Sequence, residues 1–182
     1  MLFRSNSLAW TFERLVRFGE PYERLREAVR SGSEAEGDAY IEATVYEGMR
    51  ARPVIPMIVR LVQRPWRLGP FVVPAQTPVA MSIVGIHHRE DLYPDPFVFR
   101  PERFLREKPG TYTWIPFGGG IRRCLGAALA MAEQQVVLGA IARRTDLAAE
   151  DRAPEAPRQR NVTMIPQHGG RVVVLSKRRR DE

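Results

Sequence analysis

The one cysteine of the sequence, Cys124, stands in the run Phe117-Gly118-Gly119-Gly120-Ile121-Arg122-Arg123-Cys124-Leu125-Gly126-Ala127. Glycines precede it, arginines lie against it, and a helical pattern starts directly after it. Glycine lets a backbone turn tightly and come close to something flat or bulky. Arginine beside a sulfur, and a helix N-terminus beneath it, both favour thiolate over thiol. A thiolate presented this way is a nucleophile or a metal ligand. One cysteine and three histidines do not readily close a tetrahedral zinc site. A single thiolate does suffice as the axial ligand of a heme iron. The plainer alternative is a structural cysteine beside a glycine-rich turn.

A second group of charged residues could form an ion-pair network. Glu47 and Arg50 are three apart on a helical pattern in which Tyr40 and Ala43 share their face, so they can pair. Taken alone they read as an exposed ion pair worth about 0.3–0.5 kcal/mol. Further on, Tyr93-Pro94-Asp95-Pro96-Phe97-Val98-Phe99-Arg100-Pro101-Glu102-Arg103-Phe104 is too rich in proline for a regular element.

Phe117-x-x-Gly120-x-Arg122-x-Cys124-x-Gly126 resembles the heme-binding loop of the cytochromes P450, the heme-thiolate monooxygenases, with every fixed position filled. Glu47-x-x-Arg50, followed by Arg52-Pro53, and the proline-rich segment ending in Arg103 resemble two further motifs of that family, in the family's order. The resemblance implies Cys124 as the iron ligand, with heme held at Phe117, Gly120, Arg122 and Gly126. Arg122 would pair with a heme propionate. Arg123 would face an acidic, ferredoxin-like electron donor. Arg60 sits where many family members place another propionate arginine; an edge-strand charge is the alternative. Glu47, Arg50 and Arg103 would form a structural triad. There a buried carboxylate bridges two guanidiniums and fixes a loop short of backbone hydrogen bonds. Val54, Ile55 and Met57 would line the substrate side of the heme, or simply pack in the core. With the thiolate as ligand, His87 and His88 read as structural.

These residues must be positioned by a chain of 182 residues, long enough for one domain with a real core. Its 44% hydrophobic content suits a globular protein. No apolar run reaches the roughly 18 residues of a membrane span, and residues 1–6 lack a signal-peptide core. One cysteine excludes an internal disulfide and points to a reducing cytoplasm. The net charge is +7, from 28 Lys+Arg against 21 Asp+Glu. The basic residues are dispersed, and the dense run Lys177-Arg178-Arg179-Arg180 reads as a solvated tail. No aromatic-interleaved basic patch suggests nucleic acid; an acidic protein partner suits the surface.

Helical spacing predicts amphipathic helices over 7–18, with Ser7 as cap, and over the Tyr22, Leu25, Val29 face after Gly19-Glu20-Pro21. A third runs over 39–51, capped by Asp38, after a polar loop at 31–37. Strand-like runs follow at 57–62, 71–73 and 79–84. After Cys124 an apolar stripe of Leu125, Leu129, Ala132 and Val136 predicts a helix to Arg144. Residues 145–160 read as a loose connection. Val162–Ile165 and Arg171–Leu175 read as a terminal hairpin around His168-Gly169-Gly170.

The expected fold class is α+β: a mainly helical cytochrome P450-like C-terminal (proximal) half with small β-sheets. Its segments are helices over 1–52, a β-rich part over 53–90, an irregular segment with the heme loop over 91–123, the proximal helix over 124–144, and a loop and hairpin over 145–182. In family register the oxygen-activating acid and alcohol would fall on Leu2, Phe3 and Arg4, which are neither. No catalytic residue is therefore expected within the chain. It reads as a heme-thiolate oxidoreductase, truncated and inactive alone, with a missing N-terminal half as companion. The alternatives are a non-catalytic heme-binding module, one piece of a split enzyme, or an anion or nucleic-acid site at the glycine–arginine loop without heme. Leu8, Phe12 and Leu15 are then expected to be exposed where the absent half would pack.

Overall fold

The structure is a computed structural model describing residues 2–150 and 153–178, with side chains from residue 5 onward. The side chains of Leu2, Phe3 and Arg4, and Arg179 and Arg180 of the basic tail, lie outside the described residues. Among the described residues the fold is α+β, with six α-helices and four two-stranded antiparallel sheets.

Helix α1 spans Leu2–Phe18, α2 Glu20–Arg30 and α3 Glu34–Ala51. Helix α1 starts earlier than the expected cap at Ser7, because residues 2–6 contain neither glycine nor proline to stop a helix. Ser7 is therefore mid-helix and buried. Gly19 breaks the chain at φ 66, and Pro21 occupies the first turn of α2, where no amide hydrogen is needed. Helix α3 starts before the expected cap Asp38. Ser33 and Glu36 form a reciprocal capping box, with Ser33 N to Glu36 Oε2 at 2.9 Å. Ser-x-x-Glu was legible in the sequence, inside a stretch read as loop.

The core joins α1, α2, α3 and α6 (Ala127–Arg144) through residues such as Leu15, Leu25, Val45 and Leu138, each 0% exposed. Phe12 and Leu15 belong to this core and Leu8 packs against it. The expected exposure of these three residues is wrong, because α3 and α6 supply the apolar face that α1 needs. The backbones of α1 and α3 come so close that a Cβ on Gly48 would lie 2.1 Å from Thr11 Oγ1.

The exposed apolar surface lies elsewhere. Helix α6 buries Ala127, Ala130, Gln134, Leu138 and Ala142, not the stripe picked out by sequence. Leu125, Leu129 and Val136 face outward at 104%, 57% and 70% exposure. Small residues let α6 approach its neighbours closely, so the bulkier stripe is left outside.

Strands β1 (Met57–Leu61) and β4 (Pro78–Ser82) pair antiparallel, as do β2 (Trp66–Leu68) and β3 (Phe71–Val73). The run expected as strand to residue 84 turns at Ser82 into the short helix α4 (Ile83–His87), where Ser82 Oγ accepts from Gly85 N at 2.9 Å. A one-turn helix, α5 (Arg103–Arg106), closes the proline-rich segment.

The expected terminal hairpin does not form. Strand β7 (Thr163–Pro166) pairs with β6 (Pro157–Arg160), and β8 (Val172–Lys177) pairs with β5 (Thr145–Ala149). Asn161, at φ 54, makes the tight turn between β6 and β7, a conformation asparagine tolerates. Gly169 and Gly170 instead swing the chain away. Their segment is held by Glu155, which accepts from His168 N at 2.9 Å and Gly170 N at 3.0 Å. The region read as a loose connection thus contributes a strand to each terminal sheet.

Candidate functional site

The cysteine loop is closed by its own backbone. Gly118 N donates to Ile115 O at 2.9 Å, Arg123 N to Gly120 O at 3.1 Å, and Cys124 N to Phe117 O at 3.0 Å. Closing so short a loop forces positive φ at Gly118 (70°) and Gly120 (62°), which residues with a Cβ rarely adopt. Gly126 precedes α6, so Cys124 stands just before the helix N-terminus. Its side chain is exposed.

Cys124 opens on a cavity of about 510 Å³. Phe117, Gly118, Gly126 and Leu129 share that wall. Val54, Ile55 and Ile58 from the β1 region also line it, with Arg60 and Arg122 as its cations. Five of the six residues expected to hold the cofactor therefore meet at one space: Cys124, Phe117, Arg122, Gly126 and Arg60. Gly120 does not line it; its contribution is the turn. Met57, expected on the substrate side, is 51% exposed on the sheet and lies outside the lining. Arg60 is exposed, and Nη1 donates to the Val59 carbonyl at 2.9 Å.

The adjacent arginines part company. Arg123 lines a second cavity of about 360 Å³ together with Lys108, Tyr46, Trp114 and Gly120, and Phe117 forms a wall common to both spaces.

Sequence reasoning missed Ser7 and Gln134. Both line the larger cavity, both are at most 5% exposed, and Ser7 Oγ and Gln134 Oε1 have no hydrogen-bond partner. A buried polar atom without a partner is costly, so the space suits an occupant with polar groups. Gln134 carried a signal: it is the one polar residue on the small-residue face of α6.

Beneath the loop, Glu47 and Arg50 are both 0% exposed, which rules out the surface-pair reading. Glu47 Oε2 accepts from Arg50 Nε at 2.7 Å, and Oε1 from Arg50 Nη2 at 2.8 Å and from the Arg100 amide at 2.8 Å. Arg103 is the outer member, with Nε 3.3–3.4 Å from the carboxylate oxygens. Its other donors reach the carbonyls of Pro94, Asp95 and Val98 at 3.0–3.3 Å. The cluster thus holds the irregular segment by its backbone, which no ladder could do.

His87 extends the cluster toward the cysteine loop. Its carbonyl accepts from Arg50 Nη1 at 2.8 Å, and its Nε2 accepts the Ile115 amide at 2.9 Å. Ile115 is also the residue whose carbonyl anchors Gly118. Burial, then the Arg50 charge, pushes the His87 pKa down to about 3, so the ring stays neutral and can accept.

The sequence profile described as "Cytochrome P450" matches residues 4–174. The chain belongs to the cytochrome P450 family. "Putative cytochrome P450 138" of Mycobacterium bovis is 40% identical over 169 residues, covering 92% of this chain and 37% of that protein. "Putative cytochrome P450 137" of Mycobacterium tuberculosis is 36% identical over 168 residues, covering 92% of this chain and 34% of that one. "Putative cytochrome P450 135B1" of M. bovis is 35% identical over 176 residues, covering 96% and 37%. The chain thus spans about a third of the length of the curated cytochrome P450 relatives it matches. Among the described residues no helix is long and apolar enough to cross a membrane. Nor does any group of three or more His, Cys, Asp or Glu side chains among them form a metal cluster.

Proposed function

We propose that this chain is the C-terminal, thiolate-bearing portion of a cytochrome P450 and that its larger cavity holds heme through Cys124. The observation that carries this reading is the shared cavity: a lone exposed sulfur on a glycine turn, aliphatic and aromatic walls, and two cations for propionates. The residues fit the group. The volume, about 510 Å³, suits a large flat ligand. An ideal Cβ on Gly119, Gly120 or Gly126 would meet nothing within 4 Å, so the loop leaves open space beside the sulfur. When bound, heme supplies oxygen activation, with the thiolate donating electron density that favours O–O cleavage.

The chain's own residues orient and shield. Phe117 and Ile58 exclude water from one side of the cavity. Arg122 and Arg60 fix the ring's rotation through its carboxylates. The Glu47, Arg50, Arg103 and His87 cluster holds the loop at its distance from α6. Residues 2–52 and 124–144 serve as the helical bed, residues 53–90 as the β-rich edge of the site, residues 91–123 as the loop-bearing segment, and residues 145–150 and 153–178 as the terminal sheets. Arg123 and Lys108, by the second cavity, suit an acidic ferredoxin-like electron donor.

We propose further that these residues are one part of a larger unit and give no coupled monooxygenation by themselves. The register at Leu2, Phe3 and Arg4 and the third of family length support this. The test is heme reconstitution of the full chain, followed by the spectrum of the reduced carbon monoxide complex. A red-shifted Soret band that Cys124→Ala abolishes is expected. The same band in that variant overturns the ligand assignment. Substrate oxidation coupled to electron consumption by these residues alone overturns the second statement.

A further inference from the structure

A continuous line of aromatic rings leaves the larger cavity and ends on an acidic surface residue. Phe117, in the wall, lies 6.0 Å from Trp114 between ring centroids, and Trp114 lies 5.0 Å from Tyr46 in an edge-to-face pair. The Trp114 indole N–H donates to the Tyr46 carbonyl at 3.1 Å. At the far end the Tyr46 hydroxyl donates to Glu42 Oε1 at 2.9 Å, and Lys108 Nζ holds the other oxygen at 2.7 Å. The near end joins the sulfur-bearing loop directly, since Phe117 O accepts from Cys124 N at 3.0 Å.

Tryptophan and tyrosine are the protein side chains most easily oxidised by one electron, and aromatic packing alone explains neither their order nor the carboxylate. Tyrosine oxidation near neutral pH needs a proton acceptor within hydrogen-bond reach of the phenol. Tyr46 has one in Glu42. Tyr93, which continues the cluster through Phe104 at 5.6 and 6.3 Å, does not: its hydroxyl donates to the Thr113 carbonyl, and the Arg50 guanidinium sits 5.2 Å from its ring. A cation there disfavours a hole.

We infer that Trp114 and Tyr46 form a one-electron relay carrying oxidising equivalents from the cavity to the surface at Glu42. A strong one-electron oxidant in the cavity takes one electron from the Trp114 indole and is itself reduced by one electron. Tyr46 returns one electron to the indole radical cation while its phenolic proton passes to the Glu42 carboxylate. The products are intact Trp114, a neutral tyrosyl radical and a carboxylic acid. Burial and then Glu42 push the Tyr46 pKa up to about 12, so the phenol enters the step protonated. The Lys108 ammonium and the Tyr46 hydroxyl hold the Glu42 pKa below its usual value against the effect of burial, so the acceptor is ionised. The relay would protect the site by discharging an oxidant that meets no substrate. The class of oxidant, a metalloporphyrin above its ferric state, rests on the proposed function; the relay does not.

The test therefore needs no heme. A ruthenium tris-diimine photosensitiser is coupled by iodoacetamide to Cys124, the only cysteine, and photo-oxidised with a reversible quencher. Transient absorption and freeze-trapped paramagnetic resonance then read the radical. A tyrosyl radical is expected in the unmodified sequence. Tyr46→Phe should abolish it and leave a tryptophan radical. Trp114→Phe should slow tyrosyl formation several-fold, Glu42→Gln should cut its yield, and Tyr93→Phe should leave it unchanged. Circular dichroism confirms that each variant is folded; if Trp114→Phe is not, Tyr46→Phe and Tyr93→Phe decide. A tyrosyl signal surviving Tyr46→Phe, lost in Tyr93→Phe, or absent from the unmodified sequence overturns the relay. None of these results bears on whether Cys124 binds heme, so the two proposals fail separately.

Discussion

Removing the Glu47 carboxylate should be among the most damaging single changes in the chain. Glu47→Ala deletes the acceptor of two Arg50 bonds and of the Arg100 amide. Arg50, 0% exposed, keeps the His87 carbonyl at 2.8 Å as its remaining hydrogen-bond acceptor. An uncompensated buried charge of this kind costs about 3–5 kcal/mol. A domain's whole stability is about 5–15 kcal/mol, so roughly a fifth or more of it is at risk. Followed by helical circular dichroism in urea, the midpoint should fall by roughly 1–5 M for a typical slope of about 1–3 kcal/mol/M. Arg103→Ala should cost less, about 1–2 kcal/mol, because Arg103 is part-exposed and sits 3.3–3.4 Å from the carboxylate. In double-mutant cycles the Glu47–Arg50 coupling should exceed that of Glu47–Arg103. An unchanged midpoint for Glu47→Ala, or the reverse order of couplings, would falsify this account of the cluster.

Two further outcomes follow from the same neighbourhood. His87 has its pKa pushed to about 3 in the fold against about 6.5 unfolded, so below about pH 6.5 the unfolded state takes up a proton that the native ring refuses. Stability should be full above that pH and fall by up to about 1.4 kcal/mol per unit as pH drops toward 3. His88, also pushed down by burial, adds to the same trend, and His87→Gln should flatten the urea midpoint between pH 7 and 5; an equally steep profile in that variant would assign the dependence elsewhere. Gly118→Ala places a Cβ at φ 70 and 3.1 Å from Ile58 Cδ1. It should cost about 1 kcal/mol or more from the backbone alone and weaken heme uptake, whereas Gly119→Ala, at an extended φ with open space, should change neither.

The local code of the chain was legible without any fold. Gly19-Glu20-Pro21 marks a break and a helix start, Phe117 to Gly126 spells a tight turn before a helix, and the pairing of Glu47 with Arg50 follows from helical spacing. Short-range geometry depends on which φ values a residue tolerates and which side chains lie one turn apart, and both are written in the residue order. Ser33-x-x-Glu36 and the Asn161 turn were written in the same code and went unread, the first inside a stretch read as loop, the second between a loose connection and the strand run that starts at Val162. Partner choice lay beyond it. Strand β8 could pair with β7 or β5 on propensity alone; the anchoring of residues 168–170 by Glu155, and their approach to α1, decides for β5. The apolar pattern of α6 named the wrong face, because burial follows how closely a helix can approach its neighbours and not which side chains are largest. The meeting of Cys124, Arg60, Gln134 and Ser7 at one cavity is likewise a property of the packed core. More than a hundred residues separate Ser7 from Cys124, and only folding α1 against α6 brings both to the same space.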